Sequence, residues 1–358
     1  MKIALWSIAC VLLAGLFGLA WLVVVYPNQP PPPRASKTVA LELDQRSTVD
    51  SVARELGAAG LIDNPELFAW YARVMRATDR LRRTRVLVTS QMTPRQLLQR
   101  TATGFGSTQL RITIPEGWNR FDIAARLAEW GVCARDAFLA QAEATRLADL
   151  DPAAQNGEGY LFPDTYWLHD DMQPAQVVER LTSNAKRRIT QLLQTEAAGV
   201  ERLRNDFGFG VREIVILASI VEKEAHVPSE QPVIAGVFLN RLRDPQFRPK
   251  RLQADPTVAY GCLVTALASC SDFDGKRVTR TMTADPENPF NTYRIEGLPP
   301  APIANPGVSA LRAVLAPASH GYLYFVARRD GHHAFSSNLA EHNLAVQQVQ
   351  VAAAGGGP

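Results

Sequence analysis

Residues 211–226 read VREIVILASIVEKEAH, an almost continuously apolar stretch that is long enough for about four helical turns. A helix that is apolar on nearly every side is buried by the other elements of its domain. This stretch therefore predicts the centre of a folded core. Its apolar character is interrupted near the end by Glu222, Lys223 and Glu224, and these charged residues call for a chemical explanation.

The two late glutamates of this predicted helix point in different directions. At about 100° per residue, Glu222 falls between Val215 and Ala218, on an apolar flank, whereas Glu224 points almost the opposite way. Apolar surroundings raise the pKa of a carboxyl group, and glycosidic bond cleavage needs an acid that is still protonated near neutral pH. Glu222 is thus the favoured acid. A buried ion pair with an arginine is the alternative interpretation of either glutamate.

The histidines and cysteines do not predict a metal site. His226 follows Glu222 by one helical turn, but the sequence has no HExxH pattern and no CxxC pair. We therefore predict no metal and no cofactor. Cys262 and Cys270 lie close together in a loop-like stretch, and they could form a local disulfide in an oxidising compartment. The sequence leaves both the bonded and the free state open.

The N-terminal stretch predicts a membrane anchor. Residues 3–26 read IALWSIACVLLAGLFGLAWLVVVY, without a charge, and about 20 apolar residues in a helix span a bilayer. Lys2 favours a cytoplasmic N-terminus by the positive-inside rule, which places the rest of this single-pass protein in the periplasm, at the cell inner membrane. A cleaved signal peptide is the alternative. The bulky Trp21 and Leu22 after the best small-residue site favour an uncleaved anchor.

Length and composition bound the remaining possibilities. A chain of 358 residues is too long for one ordinary core and predicts two domains with additional segments. With 46% hydrophobic and 20% charged residues, the composition excludes a disordered chain. The net charge of +3 is too small to indicate a nucleic-acid partner.

The pattern along the chain predicts an α+β protein. Residues 38–43 and 85–89 read as strands, and helices are expected to start near Ser47, Pro65 and Thr93. The last of these starts has Thr93 at the N-cap and Pro at the first helical position, which is a favoured arrangement. Residues 245–307 are rich in Pro, Gly, Asn and Asp and predict long ordered loops. The expected organisation is a transmembrane anchor at 1–26, a proline-rich linker at 27–36, a small unit at 37–106, a catalytic domain at 107–350 and a disordered tail at 351–358.

Several stretches together resemble one known family. The segment LASIVEKEA at 217–225 is similar to the signature of endolytic murein transglycosylases, the MltG or YceG-like family. Further motifs of that family appear in the expected order, namely GEGYLFPDTY at 157–166, VFLNRL at 237–242, LQADPT at 252–257, NTY at 291–293, GLPP at 297–300 and NPG at 305–307. The resemblance extends from the anchor to about residue 345.

The resemblance implies an activity and an organisation. Members of this family have a membrane anchor, a LysM-like subdomain and a mixed α/β catalytic domain. They cut the bond between N-acetylmuramic acid and N-acetylglucosamine inside a nascent glycan strand without water and leave a 1,6-anhydromuramoyl end. The implied partners are peptidoglycan glycan strands, the inner membrane and, because the family is associated with termination of strand elongation, peptidoglycan synthases.

The same resemblance assigns roles to residues. The family's catalytic glutamate corresponds to Glu222, which acts first as acid and then as base, so that one carboxyl group suffices. Other motif residues are expected either to contact sugar or to shape loops; they are Glu158, Tyr160, Phe162, Tyr166, Asn240, Gln253, Asp255, Asn291 and Tyr293. Tyr160, Phe162 and Tyr166 would stack on sugar rings. Glu158 is a candidate second acid, but structural pairing is its expected role.

Two other functions fit the same sequence. In a muramidase-type hydrolase, water would attack in place of the 6-hydroxyl group, and only the reaction product distinguishes the two. A non-catalytic glycan-binding scaffold for cell-wall synthesis is the third hypothesis. Glu222 speaks against that scaffold, because a binding protein has no need of an acid on an apolar helix face.

Overall fold

The computed structural model describes residues 2–31, 37–82, 85–104, 109–170, 172–275 and 277–354. The α-helices are α1 Lys2–Ala20, α2 Val49–Ala58, α3 Pro65–Val74, α4 Pro94–Thr101, α5 Arg120–Glu129, α6 Arg135–Ala144, α7 Pro174–Thr195, α8 Ala197–Phe207, α9 Val211–Glu224, α10 Gln231–Arg243, α11 Asp255–Val264, α12 Arg280–Ala284, α13 Val308–Leu315 and α14 Leu339–Ala354. The strands are β1 Thr38–Glu42, β2 Arg85–Thr89, β3 Gln109–Ile114, β4 Asp164–His169, β5 Tyr324–Ala327 and β6 His333–Ser336, and they form three two-stranded sheets.

The chain divides into two compact units. One contains residues 1–112, 124–137 and 166–174, and the other contains residues 113–123, 138–165 and 175–358. The predicted boundary near residue 107 is close to the first of these divisions. The sequence did not indicate that two later segments cluster with the N-terminal unit.

The N-terminal unit contains elements in the order β-α-α-β. Strands β1 and β2 pair antiparallel, with Thr38 opposite Thr89, and helices α2 and α3 pack on each other. The predicted N-cap at Thr93 is confirmed, because its side chain accepts a hydrogen bond from the third residue of α4. The helix start predicted near Ser47 is confirmed as well, and there the side chain of Thr48 caps α2.

The residues around the predicted anchor and linker are described in part. Helix α1 is followed by a π-helical turn at Trp21–Val25 and a 3₁₀ turn at Tyr26–Asn28. Of the helices in the described ranges, none is both long enough and apolar enough to cross a membrane. Tyr26 is buried edge-to-face against Tyr71 of α3, so the last residue of the predicted anchor packs on α3. Residues 32–36 of that linker lie outside the described residues.

The second unit is built around α9. This helix packs against α10 and α13, and its residues from Ile214 to Val221 are all buried, as the opening stretch of the sequence predicts. The predicted loop region contains α11, whose last turn carries Cys262, and the sulfur of Cys262 is bonded to that of Cys270. Strands β5 and β6 form a hairpin that packs on α14. Helix α14 continues to Ala354 and so enters the predicted disordered tail, whose residues 355–358 are not described.

Candidate active site

Glu222 lies in the last turn of α9, where the helix leaves the core. Its Oε2 accepts a hydrogen bond of 2.9 Å from the backbone N–H of Gly307, the residue before α13. Its Oε1 accepts a longer bond of 3.4 Å from Nε2 of Gln231, at the start of α10. The side chain is half-buried, and this burial raises the pKa of Glu222, while the bond from Gly307 acts against the increase.

A turn between β3 and α5 lies against this carboxyl group. Gly117 has a positive φ of 75°, and a Cβ atom at this position would come within 3.4 Å of Cγ of Glu222. The N–H of Gly117 donates to the carbonyl of Asn305, and Nζ of Lys223 donates to the carbonyl of Gly117. These bonds hold the turn beside the acid.

The same turn brings a second carboxyl group to Glu222. A Cβ atom on Gly307 would lie 1.9 Å from Oε1 of Glu116, so the Glu116 carboxylate occupies the space beside that glycine. Because Gly307 also donates to Glu222, the two carboxyl groups lie within about 7 Å of each other. The negative charge of Glu116 adds to the increase in the pKa of Glu222. The sequence predicted only a turn here, and nothing local in it indicates the contact.

Glu224 has different neighbours, as the helical phase predicts. Burial and the nearby Asp255 raise the pKa of Glu224 to about 7, while the guanidinium group of Arg241 acts in the opposite direction. Arg241 is buried, and its planar group lies among aromatic rings that include Phe238 and Tyr324. Glu224 therefore belongs to a charged cluster between helices.

Two of the predicted contact residues, Asp255 and Tyr293, lie near Glu224 and are accessible. Tyr293 donates a hydrogen bond of 2.7 Å from its hydroxyl group to Oδ1 of Asp255, at the start of α11. Gln253 is exposed and has a positive φ of 54°, which is strained for a residue with a side chain. Asp255 and Lys223 line a cavity of about 440 Å³ together with Tyr260 and other residues. This cavity lies beside the turn of α9 that carries Glu222.

The predicted aromatic platform is part of the core instead. Tyr160 is fully buried and donates a hydrogen bond of 2.7 Å to Oδ2 of Asp151, and Phe162 is 4% exposed. Tyr166, in the other unit, is 7% exposed. Rings packed in this way present no face on which a sugar could stack, so the stacking prediction is not supported. The aromatic residues are apolar first, and their burial decides their role.

Asn240 and Asn291 hold backbone rather than facing a cavity. The amide nitrogen of Asn240 donates to the carbonyls of His320 and Tyr322. Asn291 is fully buried, and its amide nitrogen points at the carbonyls of Met282, Thr283 and Asp285. Such contacts are those of the loop-shaping alternative that the sequence left open.

Glu158 is enclosed by donors. It is 1% exposed, and its carboxyl oxygens accept from the backbone N–H of Arg120, the hydroxyl group of Tyr260 and the amide of Asn305. Burial raises the pKa of Glu158 to about 7. Asn305 also donates to the carbonyl of Trp118, so Glu158 supports the turn that carries Glu116 and Gly117. This is structural pairing, and it leaves Glu222 as the more accessible acid.

Comparison with known proteins gives one consistent result. Residues 41–348 match the model of the YceG-like family. The chain is 27% identical over 328 residues to the endolytic murein transglycosylase of Bacillus subtilis (strain 168), covering 87% of this chain and 84% of that protein. It is 24% identical to the endolytic murein transglycosylase of Streptococcus pneumoniae (strain D39), covering 88% of this chain but only 59% of that longer protein. A crystal structure of a YceG-like protein from Listeria monocytogenes superposes with a TM-score of 0.54 at 26% identity, covering 87% of this chain and 99% of that one.

Proposed function

Because the chain belongs to the YceG-like family, we propose that it is an endolytic murein transglycosylase with Glu222 as its catalytic acid and base. The observation that carries this proposal is the half-buried Glu222 carboxyl group, with a raised pKa and two fixed hydrogen-bond donors, at the open end of α9. The substrate is the glycan strand of peptidoglycan, and the bond cleaved joins N-acetylmuramic acid to N-acetylglucosamine.

One carboxyl group can perform both proton transfers. Protonated Glu222 first donates its proton to the glycosidic oxygen as the bond to the anomeric carbon breaks. The resulting carboxylate is stabilised by the N–H of Gly307 and the amide of Gln231. It then accepts the proton of the muramoyl 6-hydroxyl group as that oxygen attacks the anomeric carbon. The ring closes to the 1,6-anhydro product, and Glu222 is protonated again.

The strand is proposed to lie along the accessible cavity beside Lys223. Asp255 lines this cavity and accepts a hydrogen bond from Tyr293, and these two residues together with the exposed Gln253 are the proposed substrate contacts. The strained backbone of Gln253 supports this, because such strain is common at binding sites. The other members of the predicted set in this unit, namely the buried Glu158, Tyr160, Phe162 and Asn291 and the part-buried Asn240, are proposed to hold the elements that form the cavity.

A hydrolase is the second candidate, and Glu116 is the observation in its favour. Inverting glycosidases use two carboxyl groups about 6.5–9.5 Å apart, with a water molecule between them. The limit of about 7 Å between Glu116 and Glu222 is compatible with that arrangement. In such an enzyme Glu116 would activate water, and the product would have a reducing end.

The location and partners of the protein are further parts of the proposal. Residues 3–26 would anchor the chain in the inner membrane, with the catalytic unit in the periplasm, where disulfides such as Cys262–Cys270 persist. The β-α-α-β order of the N-terminal unit supports a LysM-like subdomain that contacts glycan. Release of nascent strands at the membrane would make peptidoglycan synthases partners.

Product analysis tests the proposal. The full-length chain in detergent, its Glu222→Gln variant and a Glu201→Gln control at an exposed position of α8 are incubated with uncrosslinked nascent strands. Mass spectrometry should find anhydromuramoyl ends with the wild type and the control, and at least about a hundredfold fewer with Glu222→Gln. Reducing ends would identify a hydrolase. Strand binding without any cleavage would favour the glycan-binding scaffold, and a fully active Glu222→Gln variant would exclude Glu222 as the acid.

A further inference from the structure

Gly307 lies between two carboxyl groups. Its N–H donates a hydrogen bond of 2.9 Å to Glu222, and the space where its Cβ atom would be is filled by the carboxylate of Glu116. A Cβ atom there would be 1.9 Å from Oε1 and 2.2 Å from the carboxyl carbon of Glu116. Any side chain at position 307 would therefore displace Glu116 from its place beside the acid.

The backbone of Gly307 does not itself require glycine. Its φ of −77° and ψ of 173° are ordinary extended values that any residue adopts. The contrast is with Gly117, whose positive φ of 75° does favour glycine. The absence of a side chain at Gly307 leaves a space, and the carboxylate of Glu116 occupies it.

We propose that Glu116 is a positioning residue for the reaction. Its carboxylate fits beside Gly307, and its negative charge keeps the proton on Glu222 until that proton is transferred to the glycosidic oxygen. This inference rests on the proposed function, since it assigns Glu116 a role in the same proton transfer. It differs from the hydrolase arrangement, in which Glu116 would act on water.

Four elements surround Glu222, and two of them contribute a charge. On its own helix, Lys223 lowers the proton affinity of Glu222, but Nζ of Lys223 is directed to the carbonyl of Gly117. From the turn before α5, Glu116 raises that affinity. From α10 the neighbour is the neutral amide of Gln231, and from the start of α13 it is the N–H of Gly307. Glu116 is thus the negative charge acting on the acid among the described residues.

The pH dependence of cleavage tests this role. A general acid loses activity as pH rises through its pKa, so the rate has an alkaline limb. In Glu116→Gln the repulsion is removed, Glu222 loses its proton at lower pH, and the limb moves to lower pH. In Gly307→Ala the N–H to Glu222 is kept but the Glu116 carboxylate is displaced, so the limb should move in the same direction. Gly321→Ala, where a Cβ atom would meet open space, is the matched control for the glycine substitution, and Glu201→Gln is the control for loss of a carboxylate.

The size of the effect follows from Coulomb's law. For a separation of about 7 Å, even the dielectric constant of bulk water gives about a threefold change in proton affinity. We therefore compare, for each protein, the cleavage rate on the alkaline limb with the rate on its own acidic plateau. At low ionic strength this ratio should be at least about threefold lower in both variants than in the wild type. Added salt should shift the limb of the wild type toward that of Glu116→Gln, because it screens an exposed charge.

Two readouts separate failure of this inference from failure of the proposed function. If the wild type forms anhydromuramoyl ends but both variants keep the wild-type limb, or if Glu116→Gln is slowed equally at every pH, the inference is overturned. If the wild type does not cleave strands at all, the titration of Glu222 itself still decides. It is followed by ¹³C NMR of the carboxyl groups and assigned with Glu222→Gln, and an unshifted Glu222 titration in Glu116→Gln would overturn the inference.

Discussion

The most specific structural prediction concerns Glu158 and the pH dependence of stability. This carboxyl group is 1% exposed and receives hydrogen bonds from Arg120, Tyr260 and Asn305, and burial raises its pKa from 4.5 to about 7. We consider the substitution Glu158→Gln. Its amide oxygen can still accept from Arg120 and Asn305, and its amide nitrogen can donate to the hydroxyl oxygen of Tyr260. The substitution thus removes the ionisable group and keeps the network.

The sign and size of the effect follow from proton linkage. Between pH 4.5 and about 7 the folded protein holds a proton on Glu158 that the unfolded chain releases. The stability contributed by the protonated carboxyl group is therefore complete below pH 4.5 and is lost as pH rises through about 7. A change of about 2.5 pKa units corresponds to about 3 kcal/mol in the free energy of unfolding. Glu158→Gln should lack this loss, so its stability relative to the wild type should rise by about 3 kcal/mol between acidic and neutral pH.

Urea unfolding of the full-length chain at several pH values between 4.5 and 8 measures this difference, with Glu201→Gln as the exposed control. The free energy of unfolding of the control should change with pH as that of the wild type does. If the difference between Glu158→Gln and the wild type is the same at every pH, Glu158 does not hold a proton in the fold, and the reasoning from its burial is refuted.

Three further predictions concern other parts of the catalytic unit. Replacing Cys262 and Cys270 by serine should lower the free energy of unfolding by about 2–3 kcal/mol, given a separation of 8 residues, and reductant should have the same effect on the wild type; unchanged stability in both cases would contradict a structural disulfide. Asn291→Ala removes the amide that serves three backbone carbonyl groups and should cost about 2–4 kcal/mol in urea unfolding, whereas a variant of wild-type stability with weaker cleavage would return Asn291 to the set of substrate contacts. Tyr293→Phe loses the bond to Asp255 and should raise KM for glycan strands by about three- to tenfold with a smaller change in kcat; an unchanged KM would remove this pair from the proposed binding surface.

Much of the fold could be predicted because the signals that determine it are local. The N-cap at Thr93 and the helix start near Ser47 need only the backbone of the next helical turn, and both are confirmed. Strand β2 begins at Arg85 and ends at Thr89, as its composition predicts. By contrast, the break between α7 and α8 rests on one residue, because only Glu196 leaves helical geometry between them. A break of one residue does not disturb a periodic pattern enough to be visible in the sequence.

The candidate site divides in the same way. The phase of one helix is enough to separate Glu222 from Glu224, because both positions are fixed by the same backbone. Whether Tyr160 or Asn291 faces a cavity depends on which other segments cover it, and here Asp151 and the carbonyls around Asp285 do so. The sequence therefore predicted which residue types gather near the acid, but not which of them remain accessible.

Glu116 and Gly307 show why this limit is physical and not a matter of better pattern recognition. Each belongs to a short stretch, Pro-Glu-Gly or Asn-Pro-Gly, whose local interpretation as a turn is complete in itself. The extended backbone of Gly307 accepts any residue, so local geometry gives no reason for glycine there. The reason appears only when the turn that carries Glu116 is held against α13 by the bonds between Gly117, Trp118 and Asn305. The Glu116 carboxylate then occupies the space beside Gly307, and its charge acts on Glu222 of α9. Such a relation among three distant segments exists only in the folded chain, which is why the proton affinity of Glu222 depends on residues that its own helix does not reveal.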